Sequence, residues 1–299
     1  MLDLYIETDT IKNSQNKVKS KTENGQVNDL DPSLWREYEN ELGLQFFTVW
    51  DTPERDPYGW TDKTIHGNSP IEIPRQCILR FSKQGEKILD PFCGSGSTLV
   101  AAAHLKRQAV AIEINPRIKK IAEHNLNYNK QRLDSEELAE WIDKQMIILA
   151  DSTKLTELGI IEESFDLAFA HPPYWELVKY SKEYGYAEGD LSNYENLNDF
   201  NLGIKKVFQG VYKLLKKGRF FCVLIGEDFK KGGKTIPLDY YTTSIGLEVG
   251  FEFYTKIIKL TRQASSRVNK MNINKFRSLR SNYFICNHDY LIIFQKANK

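Results

Sequence analysis

Three acidic residues carry the first chemical signal in this chain. Asp90, Glu113 and Asp151 each stand at the carboxyl end of an apolar run, in Lys87–Pro91, Ala109–Ile114 and just past Met146–Ala150. After the first run comes Gly94-Ser95-Gly96-Ser97-Thr98, whose glycines allow tight turning and close approach of a ligand, and whose Ser and Thr suit a helix start. An acid at the second strand tip can take both hydroxyls of a ribose, and one at the third can hold an adenine edge. Asp90 can accept from a cationic or hydroxylated group. Singly, each acid reads as well as a surface residue at a strand end, and a lone Gly-x-Gly as a structural turn. Together they describe one nucleoside crevice.

A second signal follows the run Phe165–Ala170, in His171-Pro172-Pro173-Tyr174-Trp175. Consecutive prolines donate no backbone hydrogen bonds and hold the chain extended, so this elbow is stiff and turns its carbonyls outward. Acceptors and an aromatic ring are thereby presented together.

Asp90-Pro91-Phe92-Cys93-Gly94-Ser95-Gly96-Ser97-Thr98 resembles the cofactor motif of the amino-group DNA methyltransferases that bind S-adenosylmethionine. It lacks the third glycine of the dinucleotide fingerprint. The stretch His66-Gly67-Asn68-Ser69-Pro70-Ile71-Glu72-Ile73-Pro74-Arg75 resembles the segment that closes over the methionine end of that cofactor. The resemblance implies a Rossmann-like methyltransferase fold with S-adenosyl-L-methionine held by Asp90, Pro91, Phe92, Gly94, Gly96, Ser97, Thr98, Glu113, Ile114, Asp151, Ser152, Ile73 and Pro74. Glu72 joins that set, while Pro74 serves equally well as a helix-start proline.

In the same family Asp, Asn or Ser precedes Pro-Pro-Tyr. That first side chain and the first proline carbonyl accept from the amine of the target base, and the tyrosine stacks on the base rotated out of the duplex. The resemblance makes His171, Pro172, Pro173 and Tyr174 the catalytic group, with His171 as a departure. A neutral imidazole accepts and a protonated one only donates, so turnover is expected to fall as pH drops through roughly 6.5, the unperturbed histidine value. A shifted substrate, or a cofactor binder with weakened chemistry, are the other readings. Trp175 reads as a wider stacking platform or as a core tryptophan. Tyr180, Tyr184 and Tyr186 read as contacts to a bound strand or as surface tyrosines.

The elements that must position these groups alternate between strand and helix. Further strands are expected at Phe220–Ile225, Tyr254–Leu260 and Tyr290–Gln295, and helices at Pro74–Ser82, Ser97–Lys106, Pro116–Tyr128, Ser135–Lys144 and Leu197–Leu215, the last ending in Lys216-Lys217-Gly218. Such an α/β order implies a mainly parallel seven-stranded sheet with helices on both faces and a crevice at the strand carboxyl ends. A long loop before the last strand suits an antiparallel end. Residues 1–31 are polar and read as a disordered arm. Residues 32–299 read as one methyltransferase domain, with 32–82 as the cofactor-closing segment, irregular and aromatic up to Trp60, and with 175–196 and 262–288 as inserted recognition loops.

The chain has 299 residues, 41% hydrophobic and 27% charged, with a net charge of +1, so coating nucleic acid by bulk charge is excluded. Its cations are concentrated instead. No Asp or Glu falls between Phe253 and His288, where Lys256, Lys259, Arg262, Arg267, Lys270, Lys275, Arg277 and Arg280 lie. Trp175 and the last six of these cations are the nucleic-acid candidates; a solvated basic loop is the bland alternative. The four cysteines form no CxxC pair, no metal-ligand spacing is visible, and no apolar run reaches membrane-spanning length. A cytoplasmic protein without metal or membrane is expected, acting on DNA with a short target, alone, as a homodimer or beside a nuclease. Cytosine N4 is preferred to adenine N6; an RNA or protein-glutamine methyltransferase and a non-catalytic cofactor-binding module are the alternatives.

Overall fold

Continuous apolar runs build the central strands of this chain, in a computed structural model that describes residues 26–51, 56–61, 70–132, 135–175, 179–230, 234–261 and 268–298. In chain order the strands are β1 (Val49–Asp51), β2 (Lys87–Asp90), β3 (Gln108–Glu113), β4 (Met146–Leu149), β5 (Phe165–Ala170), β6 (Leu215–Ile225), β7 (Asp228–Lys230), β8 (Lys234–Ile236), β9 (Glu252–Leu260) and β10 (His288–Gln295). The helices are α1 (Trp35–Glu41), α2 (Glu72–Phe81), α3 (Ser97–His104), α4 (Pro116–Arg132), α5 (Glu136–Asp143), α6 (Tyr180–Tyr184), α7 (Leu197–Leu214), α8 (Leu238–Val249) and α9 (Val268–Ser281).

The main sheet runs β1-β9-β10-β6-β5-β2-β3-β4, and β7 and β8 form a separate hairpin. From β4 to β6 all neighbours are parallel, while β10 is antiparallel to both β6 and β9, as an antiparallel final strand requires. Both faces are covered at the centre of the sheet. Along β6, Phe220, Cys222 and Leu224 enter the core shared with Ile73, Ile78 and Leu99, whereas Phe221, Val223 and Ile225 enter the core shared with Phe208, Val211 and Leu214. Two apolar faces explain why the strand reads as an unbroken apolar run.

Three expectations are corrected. The sheet has eight strands, because β1, from the segment read as irregular, pairs Val49, Trp50 and Asp51 with Ile258, Lys259 and Leu260 of β9. Lys216, Lys217 and Gly218 belong to β6, since pairing of Leu215 with Phe165 draws the chain into the sheet as soon as α7 ends. The 262–288 segment contains α9, whose Ile273, Phe276 and Leu279 recur at helical spacing but project outward, exposed.

Candidate functional site

The parallel strands deliver their tips to one end of the sheet. Asp90 ends β2, Glu113 ends β3, Asp151 follows β4 and His171 follows β5. There Asp90, Pro91, Phe92, Gly94, Ser97, Thr98, Glu113, Ile114, Asp151 and Ser152 line a single cavity, together with His171 and Pro173. The Ser152 hydroxyl donates to the Pro91 carbonyl and ties two strand ends together across the floor.

Glu113 is held by two backbone donors, Gly94 N–H at 3.0 Å and Asn115 N–H at 2.9 Å, one on each carboxylate oxygen. Burial nevertheless raises its pKa to about 7, against the lowering effect of those two bonds. Burial likewise lifts Asp90 to about 6, although Thr98 and the Phe92 N–H both favour its charged form. Asp151 Oδ1 accepts from the N–H and hydroxyl of Thr153, each at 2.8 Å, and Oδ2 is turned toward Gly189.

Gly189 belongs to a cover that the amino-acid order did not reveal. Tyr180, Tyr184, Gly189, Asp190 and Leu191 close the cavity from the segment after the elbow, and Cys93, Asn115, Ile118, Thr153 and Phe169 complete its wall. The cover is pinned by Asn115, whose side-chain N–H donates to the Gly185 carbonyl at 2.9 Å. Burial pushes the Tyr180 phenol up to about 12, reinforced by Glu113 and Asp190 nearby. Tyr180 and Tyr184 thus wall the cavity, and only Tyr186 stands out in solvent. No local pattern could have announced this, because the contact joins segments far apart in the chain.

Other proposed contacts lie elsewhere. Gly96 is outside the cavity lining. With φ +82°, it begins α3, and a Cβ there would meet the Ala122 Cβ at 3.1 Å, so its bareness lets α4 approach. Ile73 and Pro74 are buried within α2 and do not reach the cavity. Glu72 accepts from Tyr58 (2.8 Å) and Arg75 (3.0 Å), fastening the N-terminal segment to α2. Residues 66–69 of the upstream motif lie outside the described residues.

At the elbow, Pro172 is buried and the Tyr174 hydroxyl is 3.1 Å from His171 Nε2. Trp175 is a core tryptophan, 4% exposed, with its indole N–H donating to the Tyr194 carbonyl at 2.9 Å. That removes it from any stacking surface. Of the basic candidates, Lys275, Arg277 and Arg280 are exposed on α9, Lys270 lies on the same helix, and Arg262 and Arg267 fall outside the described residues.

Among the described residues, no group of three or more His, Cys, Asp or Glu side chains stands where it could hold a metal ion, and no helix is long and apolar enough to cross a membrane.

Two family models match the chain: a DNA methylase over residues 4–124, and an RMKL-like methyltransferase domain over residues 76–184. The chain is 31% identical over 122 residues to the Type II methyltransferase M.MjaI of Methanocaldococcus jannaschii, covering 36% of this chain and 40% of that one. It is 46% identical over 79 residues to M.Cfr9I of Citrobacter freundii, covering 26% and 25%. A longer match, 26% identical over 241 residues, relates it to M.MjaII of Methanocaldococcus jannaschii, covering 75% of this chain and 41% of that one. The matched segments therefore span well under two thirds of these relatives' own lengths.

Proposed function

We propose that the chain is an amino-group DNA methyltransferase, as its DNA methylase match over residues 4–124 and its similarity to Type II methyltransferases support, and that it transfers the methyl group of S-adenosylmethionine to an exocyclic amino group of a DNA base turned out of the duplex. The observation that carries this reading is the convergence of Asp90, Glu113 and Asp151 with His171 and Pro173 on one cavity.

The residues fit the cofactor. Glu113 retains acceptor capacity on both oxygens for ribose hydroxyls, Asp151 Oδ2 suits an adenine amino group, and Asp90 suits a cationic terminus. Gly189 is shaped for the same purpose: a Cβ there would stand 2.9 Å from Asp151 Oδ2 and 3.3 Å from Ile114 Cδ1, crowding the adenine edge. When bound, S-adenosylmethionine supplies an electrophilic methyl group on a sulfonium.

The protein's own work is orientation. An amine conjugated to a base ring is a weak nucleophile, and acceptors on its hydrogens raise the electron density of the nitrogen as the new bond forms. Pro172 offers its carbonyl from a backbone that cannot relax, and His171 lies beside it. Tyr174 gives the base a face to stack on. Cytosine N4 is the preferred acceptor, because the elbow continues as Pro-Pro-Tyr-Trp, with adenine N6 second. The cations of α9 supply phosphate contacts.

The test is transfer from methyl-labelled cofactor to duplex DNA, RNA and protein in parallel, followed by nucleoside analysis. Label in N4-methylcytosine or N6-methyladenine is the expected result and separates the two bases. Label confined to RNA or protein, or absent from all three, would overturn the reading.

A further inference from the structure

One carboxylate beside the elbow has no part in the site as described. The register of β10 sets Tyr290 opposite Ile225 and Asp289 opposite Lys259, which brings Asp289 level with Gly226, the residue after β6. A Cβ on Gly226 would collide with the Tyr174 ring and stand 2.8 Å from Asp289 Oδ1. The ring and the carboxylate oxygen therefore close on the same bare stretch of backbone.

Asp289 is rigidly held. Its Oδ2 accepts from Lys259 Nζ at 2.8 Å and from the Thr261 hydroxyl at 3.2 Å, and Lys259 is itself only 6% exposed. No hydrogen bond within the described residues ends on Oδ1, and the side chain keeps 20% of its surface open. At His171, by contrast, Nε2 already faces the Tyr174 hydroxyl.

We propose that Asp289 Oδ1 is an acceptor for the target amine, supplying from β10 the carboxylate that position 171 lacks. The inference rests on the methyl-transfer reading above. As the nitrogen lone pair forms the bond to the methyl carbon, the carbon–sulfur bond breaks with its electron pair going to sulfur. The alkylated nitrogen carries the positive charge until one of its protons leaves along the hydrogen bond to Oδ1 and on to water. Lys259 is a positioning residue in this scheme, fixing the carboxylate through its other oxygen.

Removing Asp289 alone would strand a buried ammonium, so the test replaces the pair. Lys259→Met with Asp289→Leu puts an apolar pair in its place, and Lys259→Met with Asp289→Asn restores an acceptor without charge. Single-turnover rates on duplex DNA are compared with the fluorescence of 2-aminopurine at the target position, read with the demethylated cofactor. The apolar pair is expected to lose about 100-fold or more in rate, as when one stabilising hydrogen bond is taken from a transition state, while base extrusion is unchanged. The amide pair should recover most of that loss, and adding His171→Asp to the apolar pair should do the same. An apolar pair within threefold of the wild type, or a rate loss that follows lost extrusion, would overturn the role of Asp289 and leave the methyl-transfer reading standing. A wild-type chain that methylates no base amine overturns both.

Discussion

In the proposed site, Glu113 couples cofactor binding to pH. Its pKa of about 7 means that a large fraction is protonated in the free protein at neutral pH, whereas ribose hydroxyls prefer the carboxylate. Binding is then expected to expel a proton, and affinity to rise with pH until about 7 and level off above it. Calorimetry in buffers of different ionisation enthalpy measures that proton directly, and Glu113→Gln should remove the slope as well as weaken binding. The sign for stability is the reverse. A carboxyl raised above its ordinary value is stabilising at low pH, and that contribution is lost as pH rises through the folded value. For Asp90 and Glu113 the window runs from about 4 to about 7, so the cofactor-free protein should melt at a lower temperature at pH 8 than at pH 5 on their account.

At the scale of elements, the cover over the cavity and the basic helix make separable predictions. Gly189 has φ +86° and faces Asp151, so Gly189→Val both strains the backbone and drives the cover away from Asp151 and Ile114, the wall proposed to hold the adenine. Cofactor affinity is expected to fall by about tenfold or more, equivalent to about 1.4 kcal/mol or more, with the sheet intact by circular dichroism. The helix α9 should behave differently. Neutralising Lys275, Arg277 and Arg280 removes exposed charge and leaves the cavity untouched, so cofactor affinity should hold while DNA affinity falls. The slope of log affinity against log salt should shrink by about 0.9 for each phosphate that is no longer neutralised. An unchanged slope in a salt titration would remove α9 from the DNA interface.

Over the whole molecule, the cavity joins the ends of β2 to β5, the start of α4 and the cover after the elbow, so a ligand there braces segments that span the sheet. Saturation at about 100 times the dissociation constant adds roughly 2.7 kcal/mol, which should raise the melting temperature by on the order of 5 °C. Differential scanning calorimetry with S-adenosylmethionine and its demethylated product measures the shift, and ATP serves as the control ligand.

Much of this architecture was legible in the amino-acid order. Strands covered on both faces announce themselves as unbroken apolar runs, and Lys87–Asp90 followed by Gly94 and Gly96 can hardly be anything but strand, turn and helix start. These are local relations, written within a dozen residues, and they delivered Asp90, Glu113, Asp151 and the Pro172–Tyr174 elbow. What only the tertiary structure decided depends on segments far apart in the chain. The indole of Trp175 is drawn into the core by the Tyr194 carbonyl, Gly96 is bare because α4 must pass, Tyr180 turns inward over Glu113, and antiparallel register brings Asp289 to Tyr174. Periodicity tells which face of an element is buried, but the partner that buries it is chosen by the packing of the whole chain.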